Sequence, residues 1–165
     1  VAVLLDVGPL AAGPPQTPDG PPLNRYDQGA LQRIRARAAA LLDGAECGKV
    51  LTDFKDRHGR TLEVNLDRRG VSASQYLLRL PFVDGSSVRN CRNRLVMMAT
   101  RPDLAHVYVC PAGGGRVTSR LAQVEFQSGS LAEAMVIHEM LHTLGLGENP
   151  PSSLEITRRV RDRCH

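Results

Sequence analysis

The sequence predicts an α+β fold in one small domain: a mixed, twisted sheet, a helix near the N-terminus, a buried helix further on and a short C-terminal helix. Three observations carry that prediction. Apolar residues recur at helical spacing in two long stretches, and between them they alternate with polar residues in several short ones. The 165 residues are also enough for one ordinary core and too few for two comfortable ones.

Taken in order, residues 1–24 read as an extended arm and 25–165 as the domain. The opening "VAVLLDVG" is apolar, but Asp6 interrupts it and no basic segment precedes it, so it reads as strand or arm rather than signal peptide. "PLAAGPPQTPDGPPLN", 9–24, is too rich in Pro and Gly for a regular element. "DQGALQRIRARAAALLDG" places Leu31, Ile34, Ala38, Leu41 and Leu42 opposite arginines and stops at Gly44, which predicts an amphipathic helix. "KVLTDFKD" and "RTLEVNL" alternate around "RHG" and predict a hairpin, and "SQYLLRLPFV" predicts a further strand. "NRLVMMATRPDLAHVYVC" predicts two strands joined at "TRPD". "PAGGGR" is a flexible turn, and "VTSRLAQVEF" suits strand or helix, with strand preferred.

The best-marked element follows. Ser130 with Glu133 three residues later matches a capping box, and Gly145 supplies a left-handed stop after Leu144. On a helical wheel Ala134, Ile137, Leu141 and Leu144 form one stripe while Val136 and Met140 take much of the other side. A helix apolar on nearly all sides is a buried one.

The four cysteines, Cys47, Cys91, Cys110 and Cys164, include no C-x-x-C pair. A hairpin centred on "TRPD" brings Cys91 opposite Cys110, which leaves Cys47 for Cys164. Two disulfides imply an oxidising compartment, so a secreted or periplasmic location is expected. The net charge of +4 comes almost wholly from arginine. These arginines are scattered, without the clustered stripe and interleaved aromatics of a nucleic-acid binder. No run approaches the roughly 20 apolar residues of a membrane span.

The chemistry lies in "HEMLHTLGLGE", 138–148. His138 and His142 stand one helical turn apart on one strip, where each can turn a ring nitrogen to one Zn²⁺ at about 2.0–2.1 Å. Glu139 between them is placed to take a proton from a metal-bound water and deliver it to a leaving amine. On a buried helix, two histidines and a glutamate without partners are costly, which favours a metal site over a chance motif.

"VIHEMLHTLGLGE" resembles the active-site helix of the zincin metallopeptidases, and its H-x-x-G continuation is similar to the metzincin pattern, with Glu148 where metzincins carry a third histidine. "HVYVC" and Cys91 also resemble the layout of the deuterolysin-like aspzincins. The resemblance implies His138 and His142 as ligands, Glu139 as general base and acid, and Gly145 as the turn back to the metal. Two carboxylates compete for the third ligand place. Glu148 sits at the end of a glycine-relieved turn, while Glu155 stands where a gluzincin would carry its ligand and is engaged by Ser152 at a helix start. Glu148 is preferred. His58, His106 and His165 are weaker candidates.

The expectation is a small, monomeric zinc endopeptidase acting on a peptide or protein laid along an edge strand in "GGGRVTSRLAQVEF", with Tyr108 or an arginine as oxyanion donor. The alternatives are a zinc amide hydrolase of cell-wall peptides and a non-catalytic zinc-binding interaction domain.

Overall fold

Asn24 opens the first helix: its side chain accepts the backbone N–H groups of Tyr26 and Asp27, both at 3.0 Å, and so caps α1, Arg25–Leu42. Leu31, Ile34, Ala38 and Leu42 bury one stripe of it, as their spacing predicts. The computed structural model describes residues 20–93, 96–100, 105–111 and 119–165. Most of the N-terminal arm, all of the "TRPD" turn after Thr100 and nearly all of "PAGGGR" therefore lie outside the described residues.

The predicted hairpin around "RHG" is corrected. Two single-turn helices, α2 (Ala45–Gly48) and α3 (Val50–Asp53), precede it, and α4 (Leu62–Asp67) follows. The pattern L-x-V-x-L suits either period, because its first and last residues are also i and i+4. Leu62 and Leu66 are buried while Val64 is 40% exposed, so the helical period is the one realised. Only the turn itself survives, closed by a single antiparallel bridge between Lys55 and Thr61, with Gly59 at φ +77°.

"SQYLLRLPFV" is corrected in its first part. Ser72 accepts the Gln75 N–H at 3.2 Å and the Gln75 side chain accepts the Ser72 N–H at 3.3 Å. This capping box starts α5, Ala73–Arg79. Only the tail is strand: β1, Phe82–Asp84. It pairs in parallel with β3 (Val107–Val109), which pairs antiparallel with β2 (Met98–Thr100). The sheet order is β1-β3-β2, which leaves β2 at an edge. The antiparallel β2–β3 pair was legible but its register is corrected. Met98 faces Val109 and Thr100 faces Val107, so Cys110 comes level with Met97, to whose carbonyl its N–H donates, while Cys91 sits in a short 3-10 turn, Arg89–Arg92, instead of opposite Cys110 on a strand. The end of the arm runs beside the sheet, where the Asp84 N–H donates to the Pro21 carbonyl at 2.9 Å.

The segment "VTSRLAQVEF" is corrected to helix over α6, Arg120–Gln127. Ser119 caps it by accepting the Ala122 N–H at 3.0 Å. As a strand it would have gathered Ala122, Val124 and Phe126 on one face. As a helix it buries Leu121, leaves Phe126 93% exposed and turns Glu125 to Arg33 and Arg37 of α1 at 2.8 and 3.0 Å.

The motif helix α7 spans Gly129–Thr143. Its cap is Ser128, two residues before the expected one, because Glu133 is drawn away to an ion pair with Arg37. Ala134, Val136, Ile137, Met140 and Leu141 are all fully buried, so α7 is covered on nearly every side, by α1, α6, β2 and the last helix. That helix, α8 (Ser153–Cys164), is capped by Ser152, which accepts the Glu155 N–H. The result is an α+β domain of helices packed with one small mixed sheet around a single core.

Both predicted disulfides are present, Cys91–Cys110 and Cys47–Cys164, and no cysteine is free. They fit an oxidising, extracytoplasmic environment. Among the described residues no helix is long and apolar enough to cross a membrane. Peptide mapping without reductant is expected to recover these two pairs alone. Because Cys47–Cys164 closes a separation of 117 residues, replacing both by serine is expected to cost about 5 kcal/mol in a denaturant titration. Recovery of free thiols or crossed pairs would contradict this pairing.

Candidate metal centre

The end of α7 determines the geometry. Its last turn closes in a Schellman motif: the Gly145 N–H donates to the His142 carbonyl at 3.0 Å and the Leu146 N–H to the Leu141 carbonyl at 3.2 Å. Gly145 takes φ +104°, which an L side chain resists. The chain thereby reverses, and Glu148 returns to the face that bears His138 and His142.

Those three side chains converge. The two Nε2 atoms lie 3.0 Å apart, and Glu148 Oε1 is 3.7 Å from His138 Nε2 and 3.6 Å from His142 Nε2. Ligand bonds of about 2.0–2.2 Å in a tetrahedral site need donor atoms roughly 3.3–3.5 Å apart. The observed edges straddle that value, so the donor set fits a cation of zinc's size after shifts of a few tenths of an ångström.

The other ring nitrogens are already committed. His142 Nδ1 lies 2.7 Å from the Leu146 carbonyl, which can only accept, so the proton resides on Nδ1 and Nε2 presents its lone pair. His138 Nδ1 meets the Thr157 hydroxyl of α8 at 3.0 Å. Partners of this kind fix ring orientation in metal sites. Both imidazoles are buried. Burial, and then the neighbouring His142, push the His138 pKa down to about 3, so its ring is neutral at any ordinary pH.

Glu139 faces the same space. Burial pushes its carboxyl above the ordinary carboxylate range, and Glu148 adds to the rise, while the Thr100 hydroxyl and His142 offset part of it. The Thr100 contact is not a well-formed hydrogen bond, since Thr100 Oγ1 and Glu139 Oε2 are both buried without a partner. A buried, unpartnered carboxylate oxygen beside a converging ligand set is uncommon in a purely structural role.

The site opens on a cleft of about 770 Å³, lined by β2 on one side, Leu131 and Met135 of α7 on another, the exposed Arg89 and Asn90, and Thr157 behind His138. Glu155 is exposed on the first turn of α8 and does not join the ligand group. Nor do the remaining histidines: His58 is an exposed turn residue beside Arg57, His106 packs edge-on against Tyr108, and His165 lies 3.5 Å from Glu133. Tyr108 does not line the cleft, whereas Arg89 does. The wall is β2, not the stretch after "PAGGGR", which is helical. Sequence reasoning missed Thr157, Thr100 and the Leu146 carbonyl, which come to the site from three separate elements and carry no motif of their own. Compared with protein-family models, curated proteins and solved structures, the chain matches none of them.

Proposed function

We propose that this chain is a secreted, zinc-dependent endopeptidase of the zincin type, with His138, His142 and Glu148 as ligands and Glu139 as general base and acid. The observation that carries the proposal is the combination of two buried imidazoles aimed at one point by engaged Nδ1 atoms with an unpartnered carboxylate beside them. Zinc held there supplies a Lewis-acid charge and acidifies a coordinated water towards a pKa of about 7. Glu139 Oε2 accepts the proton of the attacking water and passes it to the leaving amine, a task suited by a carboxyl that burial raises above its ordinary range.

The free edge of β2 binds the substrate as an extended strand through main-chain hydrogen bonds, with Leu131 and Met135 beneath it. Arg89 is the rim donor nearest in kind to an oxyanion partner. One protomer contains every group invoked, so a monomer suffices.

Two measurements test this reading together. Metal analysis is expected to find about one zinc per chain, and a casein or peptide-library digest is expected to proceed until a chelator is added. A chain that holds no zinc after gentle purification ends the proposal. Zinc without cleavage of any peptide leaves the non-catalytic zinc-binding domain, and cleavage confined to cell-wall peptides moves the activity to an amide hydrolase.

A further inference from the structure

The carbonyl that orients His142 belongs to a turn held from behind by residues far away in sequence. Asn65, on α4, donates from Nδ2 to the Leu144 carbonyl at 3.0 Å and to Asp56 Oδ2 at 2.9 Å. Asp56 pairs with Leu146 in an isolated antiparallel bridge. Its own carboxylate is fixed on every side. Oδ1 accepts the N–H groups of His58 and Arg60 at 2.8 and 3.0 Å, and Oδ2 accepts Arg60 Nε at 2.9 Å. Asp56 is buried despite its charge, and these donors, Asn65 foremost, hold its carboxyl well below the usual carboxylate range.

The fit is close at the turn, where Gly145 also holds a positive φ that an L side chain resists. A Cβ on Gly145 would stand 3.3 Å from Asp56 Cβ and 3.6 Å from Asn65 Nδ2. The brace therefore touches the turn at Leu144, Gly145 and Leu146 in succession. The last of these carries the oxygen that accepts from His142 Nδ1. A displacement of that oxygen would free the ring to rotate, or move its proton to Nε2 and cost the ligand its lone pair.

We infer that Asn65 and Asp56 are positioning residues for the metal centre, fixing through the Leu144–Leu146 turn the carbonyl that aims His142 Nε2 at its cation. The inference rests on the zinc reading above. A brace of purely structural value would alter unfolding and leave the centre as it was. Nothing in the sequence marks these two residues, since they lie in a segment whose pattern suits a surface hairpin.

The informative variant is Asn65→Asp, which keeps the shape of the side chain and replaces the donor by an oxygen facing two acceptors. Asn65→Ala, which removes the donor without adding charge, is the companion. In both, zinc affinity measured by competition with a chromophoric chelator is expected to fall about 10–100-fold. The ligand-field bands of the cobalt-substituted protein should shift, while circular dichroism of the metal-free variants stays that of a folded chain. Affinity within twofold of wild type and unchanged cobalt bands in the folded variants would overturn the inference.

A separate readout needs no metal. In the metal-free protein the His142 Nδ1–H proton should exchange slowly, and in both variants faster, as seen in imidazole ¹H–¹⁵N spectra. Equal exchange rates would reject the positioning role. Faster exchange in the variants of a wild type that binds no zinc would instead locate the failure in the zinc reading, and with it the metal-aiming role would fall.

Discussion

Glu139→Gln is expected to keep about one zinc per chain and to lower kcat/KM by about 10²–10⁴-fold, the range for removing a positioned general base. The amide preserves the shape of the side chain, and Glu139 is not among the three converging ligands, so metal content should not change. What is lost is basicity at one oxygen. Oε2 has no hydrogen-bond partner, so no network has to be rebuilt around the substitution, and stability should hold or rise slightly as a buried acid becomes neutral. Zinc analysis and peptide-cleavage kinetics on the same preparation check both halves. An equally active variant would remove Glu139 from the chemistry.

The second large effect separates the two candidate carboxylates. Glu148→Ala is expected to weaken zinc binding by about 3–5 kcal/mol, roughly a third of the ~10–16 kcal/mol total typical of a closed zinc site. That is on the order of 10²–10⁴-fold in affinity. Glu155→Ala should leave affinity unchanged. Ser152 still caps α8 through the backbone N–H of residue 155, so only the interaction of an acidic first-turn residue with the helix dipole is lost, under about 1 kcal/mol. Competition titrations on the two variants decide the matter. The reverse ranking would move the third ligand to α8 and the site towards a gluzincin arrangement.

The parts legible in the sequence were those whose signal is local. His138, Glu139 and His142 share one helix, and their i, i+4 spacing fixes their mutual placement whatever surrounds them. Glu148 follows within a few residues through a glycine turn whose conformation is also local. Helix α1 and the β2–β3 hairpin were legible for the same reason: a sustained period, and a turn flanked by alternating residues. The misreadings cluster in short segments, α4, α5 and α6, where five to ten residues satisfy both periods. There the outcome was decided by capping at Ser72 and Ser119 and by partners supplied from elsewhere, such as the α1 arginines that meet Glu125. Thr157, Thr100, Asn65 and Asp56 reach the site only through tertiary packing.

The burial of α7 on nearly every side has an outcome for how this protein can change. A surface helix separates its duties, with one face for packing and another free to vary. On α7 the same fifteen residues carry both the core and the proposed metal ligands. Shortening Ile137, Met140 or Leu141 to alanine would cost about 2–5 kcal/mol each, a large part of the stability of a domain this size. In a mutational scan such variants would score as dead beside the ligand variants, although their metal ligands were intact. Room for adjustment lies at Leu131 and Met135, the partly exposed apolar residues of α7 that line the cleft, and in the β2 edge opposite them. If the proposed peptidase activity holds, a new cleavage preference would have to be selected there, since the buried positions of the helix tolerate little change.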